Sequence, residues 1–204
     1  HLDASEIDLL GEHRCHLAHC PTSNMKLANG APQIATLQAH GVGVGLGSDG
    51  AASNNRLDLF HELRHAALLA KAASEDATGL PATTVLRMAT LEGATALGLD
   101  AEIGSLLPGK SADLCAVRLD EWILQPCYDP ASHLVYVAGR EQVTHTWVAG
   151  RLRICDGQPV DFDQHPRFAR RLRLGLARAD GAQPAFGVAL DRVDGVHDQV
   201  RRDA

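Results

Sequence analysis

The feature that most limits what this chain can fold into is a stretch in which glycine alternates with larger residues: Gly41-Val42-Gly43-Val44-Gly45-Leu46-Gly47-Ser48-Asp49-Gly50. A period of two predicts a strand over 42–48, with Val42, Val44 and Leu46 on one face and Gly43, Gly45 and Gly47 on the other. A face without side chains admits a neighbour at backbone distance, as in the crowded interior of an α/β barrel. Val and Leu suit the side covered by helices. Asp49 shares the glycine parity and is therefore expected to point inward at the carboxyl end of the strand, where parallel α/β sheets carry their chemistry. An Asp-Gly pair also has a plainer reading, as a turn.

Three further patterns could carry chemistry. Gly45-Leu46-Gly47-Ser48-Asp49-Gly50 satisfies the dinucleotide-binding pattern G-x-G-x-x-G, but its third glycine should open a helix, and here the helix is expected only after Asn55. His61-Glu62-Leu63-Arg64-His65 is a literal H-E-x-x-H. With Asn55 as N-cap, the helix puts Leu59, Phe60, Leu63, Ala67 and Ala70 in one apolar stripe. His61 and His65 then fall on the opposite, solvated or loop-contacting face rather than in a zinc cleft. His13, Cys15, His16, His19 and Cys20 are dense in metal-ligand types. In a strand, however, His13, Cys15 and His19 face one way and His16 and Cys20 the other, so four cannot meet at one ion. His19 stands apart, because its strand end leads into the polar loop Pro21-Thr22-Ser23-Asn24.

Along the chain, Asp3 and Glu6 form a capping-box pair before a short helix that stops at Gly11. A strand over 15–20, a helix within 31–40, the glycine-rich strand and the helix after Asn55 follow. This alternation is that of a parallel α/β fold. Pro81 opens another helix, and Glu92 to Gly98 forms a last short one. From about residue 102 strands are expected at 112–117, 134–137, 143–148 and 151–154, with Ala149-Gly150 as a turn and His133 and His145 as surface or packing histidines. Arg167, Arg170, Arg171 and Arg173 suggest a basic amphipathic helix in a loosely ordered tail. The expected division is 1–101, 102–160 and 161–204.

At 204 residues and 45% hydrophobic, the chain can bury a sizeable core. A net charge of -6 leaves no electrostatic footprint for nucleic acid. No apolar run approaches the length of about eighteen residues needed to span a membrane. The five cysteines are odd in number and never spaced C-x-x-C, the pattern of reduced thiols in a cytoplasmic protein.

Four motifs, in order, carry a resemblance. They are His19-Cys20-Pro21-Thr22-Ser23-Asn24 with Lys26-Leu27; Gly47 to Asn55; Leu91-Glu92-Gly93-Ala94 with Ala96-Leu97-Gly98-Leu99; and Ile103-Gly104-Ser105-Leu106 with Pro108 to Leu114. Over about residues 1–160 the chain resembles the amidohydrolase superfamily. Within it the chain is most similar to the aminohydrolase branch containing 5-methylthioadenosine/S-adenosylhomocysteine deaminases and triazine chlorohydrolases. The resemblance implies an α/β fold, the C-terminal part of a (β/α)8 barrel followed by strands of a small β-sandwich. It implies one divalent metal, most often zinc, held by a His-x-His on the first strand, a His on the fifth and the Asp that ends the eighth.

By motif that last ligand is Asp49, which would also carry a proton from the attacking water to the departing ammonia. His19, Asn24 and Ser48, near the same strand ends, are the expected substrate-binding residues for a small molecule. No His-x-His occurs in the chain. The resemblance therefore implies a missing N-terminal barrel portion, a homo-oligomer at full length, and an isolated chain without activity. A triazine hydrolase and a non-enzymatic interaction module are the alternatives.

Overall fold

A computed structural model describes residues 2–160 and the backbone of Gly187–Leu190. The expected basic helix around Arg167 to Arg173 lies outside the described residues. Helix α1 (Ala4–Glu12) opens on the anticipated capping box, with Asp3 accepting from the Glu6 backbone and Glu6 accepting from that of Asp3. Gly11 does not stop it. A Cβ there would sit 1.9 Å from the His40 carbonyl oxygen, so the glycine is a point of close approach rather than a terminator.

Strand β1 (His16–His19) pairs in parallel with β2 (Gly43–Leu46), with His16 opposite Gly43 and His19 opposite Leu46. The loop expected at Pro21 is instead a short helix, α2 (Pro21–Lys26), because Pro21 supplies a ready-made first helical residue. Helix α3 (Ile34–Ala39) then leads back to β2. Val42 and Val44 are buried against Ile34, Leu37, Leu63, Ala66, Val85 and Met88. The opposite face is closed by α6 (Leu91–Ala96): a Cβ at Gly45 would lie 3.1 Å from the Gly93 Cα. The bare glycine face does receive close neighbours: helix backbone at Gly45, the His16 ring at Gly43 and the Cys20 sulfur at Gly47.

Helix α4 (Leu59–Ser74) starts three residues later than Asn55 would allow. Its N-cap is Asp58, 4% exposed, which accepts from the Phe60 N–H while Arg56 holds its other oxygen at 3.0 Å. Helix α5 (Ala82–Met88) follows Pro81 as expected.

The second sheet runs β6-β5-β4-β3-β7, from β3 (Leu114–Val117), β4 (Val143–Val148), β5 (Arg151–Cys155), β6 (Gln158–Pro159) and β7 (Gly187–Leu190). It is antiparallel except where β7 joins β3 in parallel. The strand expected at 134–137 is a helix, α7 (Pro130–Tyr136). Asp129 caps it by accepting from the Ser132 N–H, and Pro130 occupies its first turn. Its apolar run serves two cores. Val135 packs into the cluster around β2, and Leu134 packs with Cys115, Val117 and Ala138 under the second sheet. Among the described residues no helix is long and apolar enough to cross a membrane.

Candidate active site

Asp49 follows β2 with φ of 59°, a left-handed conformation that Asp tolerates because its short side chain bonds locally. The Gly50 N–H donates to Oδ1 at 2.7 Å, and the Ser23 and Ser53 hydroxyls each donate to Oδ2 at 2.7 Å. The Ser53 and Ser23 hydroxyls, then the Gly50 N–H, hold the carboxyl below its ordinary range. Asp49 is therefore an anion near neutral pH. A carboxylate has about four lone-pair positions. Two hydroxyls fill Oδ2 and one N–H occupies half of Oδ1, so an exposed residue keeps one open position, on Oδ1.

The loop that carries this carboxylate is pinned from below. Asn54 is fully buried; its Nδ2 donates to the Ser48 carbonyl at 2.8 Å and to Glu62 Oε1 at 2.7 Å. Its Oδ1 accepts from the backbone N–H groups of Arg56 and Leu57. Glu62, also fully buried, accepts from the Thr22 N–H at 3.1 Å through Oε2. Lys26 completes the grip by donating to the Ala52 carbonyl and to Asn55 Oδ1 at 2.9 and 2.6 Å. Every polar group of Asn54 is used, which is the condition for burying one without a large desolvation cost.

The expected substrate-binding residues occupy three different surroundings. His19 is 2% exposed; its Nδ1 has no hydrogen-bond partner, and burial pushes its pKa down to about 4, so the ring is neutral. Ser48 is 4% exposed; its hydroxyl donates to the Asp49 carbonyl at 3.2 Å and its own carbonyl accepts from Asn54. Neither side chain is open to a ligand. Asn24 lines a cavity of about 520 Å³ between α1, α2 and α3, together with Leu17, Asn29, Thr36 and His40, and Asp49 is not part of that wall. Neighbouring positions on a helix point about 100° apart, so Ser23 can reach Asp49 while Asn24 cannot.

The H-E-x-x-H segment acts as a clamp. Glu62 points inward to Asn54 and Thr22, His65 Nδ1 lies 2.8 Å from the Thr22 hydroxyl, and the His61 ring meets that of His65 edge-on at 4.0 Å. Sequence reading had not assigned Ser23, Ser53, Asn54 or Glu62 to the site. The Asp49-to-Ser53 spacing was a usable signal for one of them. For the link from Glu62 to α2 there was none, since its Thr22 partner is 40 residues away.

As a metal ligand Asp49 fits in kind: it is anionic, exposed and has an open oxygen position. It is one donor, whereas catalytic zinc takes three protein ligands. Among the described residues, the one grouping of three convergent donors is His145, Cys155 and Asp156, in the second sheet.

A profile of the Amidohydrolase family matches residues 1–153. A 5-methylthioadenosine/S-adenosylhomocysteine deaminase of Syntrophobacter fumaroxidans is 51% identical over 151 residues, covering 74% of this chain and 34% of the relative. Among solved structures, a zinc-bound adenosine deaminase from Xanthomonas campestris superposes with a TM-score of 0.80 at 44% identity, covering 87% of this chain and 41% of that one. An atrazine chlorohydrolase from Arthrobacter aurescens complexed with zinc superposes at 0.75 and 27% identity, covering 87% and 38%. The chain spans about a third of the length of the curated relatives it matches.

Proposed function

This chain belongs to the amidohydrolase family, and on that premise we propose that it is part of a metal-dependent hydrolase that deaminates an adenosine-like nucleoside, S-adenosylhomocysteine or 5-methylthioadenosine. The observation that carries the reading is Asp49, an ionised carboxylate held by three donors beyond the carboxyl end of a parallel strand, with one oxygen position open. Asp49 Oδ1 is the chain's ligand for one divalent ion, and zinc is the choice consistent with the zinc-bound structural relatives. When bound, such an ion lowers the pKa of water enough to make it nucleophilic near neutral pH.

The chain's own residues set up the proton transfer. The Ser23, Ser53 and Gly50 donors keep Asp49 ionised at rest, so that it accepts a proton only during the reaction. It then returns the proton to the departing nitrogen, which leaves as ammonia while the C–N bond breaks. Asn54, Glu62 and Lys26 hold the loop so that this oxygen does not drift, because small misplacements are costly in rate. The remaining metal ligands belong, on this reading, to sequence beyond these 204 residues.

Ammonia release from S-adenosylhomocysteine provides the test, on the 204-residue chain and on the protein translated with the coding sequence upstream of His1. The expected result is no turnover by the shorter chain, turnover by the longer one, and loss of at least about a hundredfold on Asp49→Asn, a change that keeps the left-handed backbone. Full activity in the longer Asp49→Asn protein would overturn the role given to Asp49, and no turnover by the longer unsubstituted protein on any of these substrates would favour a non-enzymatic module. Turnover of a chloro-triazine alone would favour the second reading, supported by the likeness to the chlorohydrolase.

A further inference from the structure

The hairpins of the second sheet bring together donor atoms that deamination does not use. Antiparallel register sets Thr146 opposite Ile154, so one step further along the ladder His145 stands across from Cys155. Cys155 in turn pairs with Gln158, and the two residues between them, Asp156 and Gly157, have φ of 50° and 73°. This is a two-residue hairpin turn of the Asp-Gly type, with both residues left-handed. The Gly157 N–H donates to the Thr144 carbonyl at 2.8 Å, which ties the turn to β4. Asp156 is thereby held beside Cys155 by backbone geometry.

The side chains converge. One donor atom from each of His145, Cys155 and Asp156 lies within 4.8 Å of the other two. Cys155 Sγ is 3.7 Å from His145 Nε2 and 4.0 Å from Asp156 Oδ2. The Thr144 hydroxyl lies 3.0 Å from His145 Nδ1 and orients the ring, which turns Nε2 toward the cysteine. Such an outer hydrogen bond is the usual orienting device for a ligating histidine. Stacking on Trp147, with centroids 5.5 Å apart and planes 13° apart, holds the ring. Asp156 is exposed and Cys155 half-buried, which leaves a path for entry.

We propose that His145, Cys155 and Asp156 bind one divalent ion of the zinc class at a second site, separate from Asp49. Ligands around tetrahedral zinc are about 3.3–3.7 Å apart, given bonds of about 2.0–2.3 Å. The present separations, none above 4.8 Å, need to close by a few tenths of an ångström to at most about 1.5 Å. A nitrogen, sulfur and oxygen set selects zinc or cobalt over magnesium or calcium. Binding releases the thiol proton to solvent. The bound ion would staple β4 to the β5–β6 hairpin, with water completing the coordination.

The test titrates the metal-free 204-residue chain with Co2+ and follows thiolate-to-cobalt charge transfer in the near ultraviolet, with Zn2+ as competitor. The expected result is one equivalent bound with a thiolate band, lost in Cys155→Ser. Affinity falls at least about tenfold in Asp156→Asn, the size of even an outer-shell loss, and Asn keeps the left-handed turn. Asp49→Asn and Cys20→Ser leave the band unchanged. His145→Gln, read in the same way, serves as an independent check if the serine variant does not fold. Absence of the band, its survival in Cys155→Ser, or its loss in Cys20→Ser would overturn the site.

Discussion

The two sheets assemble their polar clusters in opposite ways. Around β2, Asp49 is held by a serine 26 residues away, and Glu62 joins it to α2 across 40 residues. In the second sheet, His145 and Cys155 are 10 residues apart and Cys155 and Asp156 are adjacent. The first cluster exists only once β1, β2, α2 and α4 have packed. The second needs only two hairpins. Distant contacts cost more chain entropy to close, so the first site depends on the burial of Val42, Val44, Leu63 and their neighbours to hold its parts together.

The largest effect expected from this contrast is at Asn54. Asn54→Ala removes a side chain that donates two hydrogen bonds and accepts two at a fully buried position, and it leaves the Glu62 carboxylate short of a partner. The expected loss is about 4 kcal/mol by chemical denaturation. A loss below about 1 kcal/mol would mean that the Asp49 loop is held locally after all, and the contrast would fail.

His19 comes next. Its folded pKa of about 4 lies below the unfolded value near 6.5. Between these values the unfolded chain carries the extra proton, so stability falls as pH drops from about 6.5 to about 4, by up to roughly 3 kcal/mol. His19→Leu should flatten that part of the stability profile. Asp49, whose lowered pKa makes its contribution disappear only at still lower pH, should leave the same window unchanged in Asp49→Asn. An undiminished acid slope in His19→Leu would show that another group titrates there.

The smallest effect belongs to the hairpin. Gly157→Ala places a Cβ on a backbone at φ of 73° and should cost about 1 kcal/mol, read as a shift in denaturation midpoint. A cost equal to that of Asn54→Ala would erase the difference between the regions.

Much of the architecture was legible because it is written in short-range chemistry. The capping box of α1, the alternation of β2, Pro81 before α5 and the Ala149-Gly150 turn between β4 and β5 each depend on a few adjacent residues. The misreadings have a common cause. Leu134-Val135-Tyr136-Val137 is as apolar as a strand, and the deciding signals, Asp129 and Pro130, lie just before it. Asn55 is a sound N-cap by type, but Asp58 took the place because it could also pair with Arg56 in a buried position. His19 and Ser48, the expected substrate contacts, share a strand end with the site, and both are buried in this chain.

What the sequence determined by itself is the family, the order of helices and strands before residue 102 apart from α2, and Asp49 as the carboxylate at a strand end, because motifs, turn residues and periodicity are local properties. Only the tertiary structure decided that Ser23, Ser53, Asn54 and Glu62 secure that carboxylate, that H-E-x-x-H is a clamp, and that His145 faces Cys155. Those facts depend on which segments pack together, and packing is chosen by the burial of the whole chain rather than by any stretch of it.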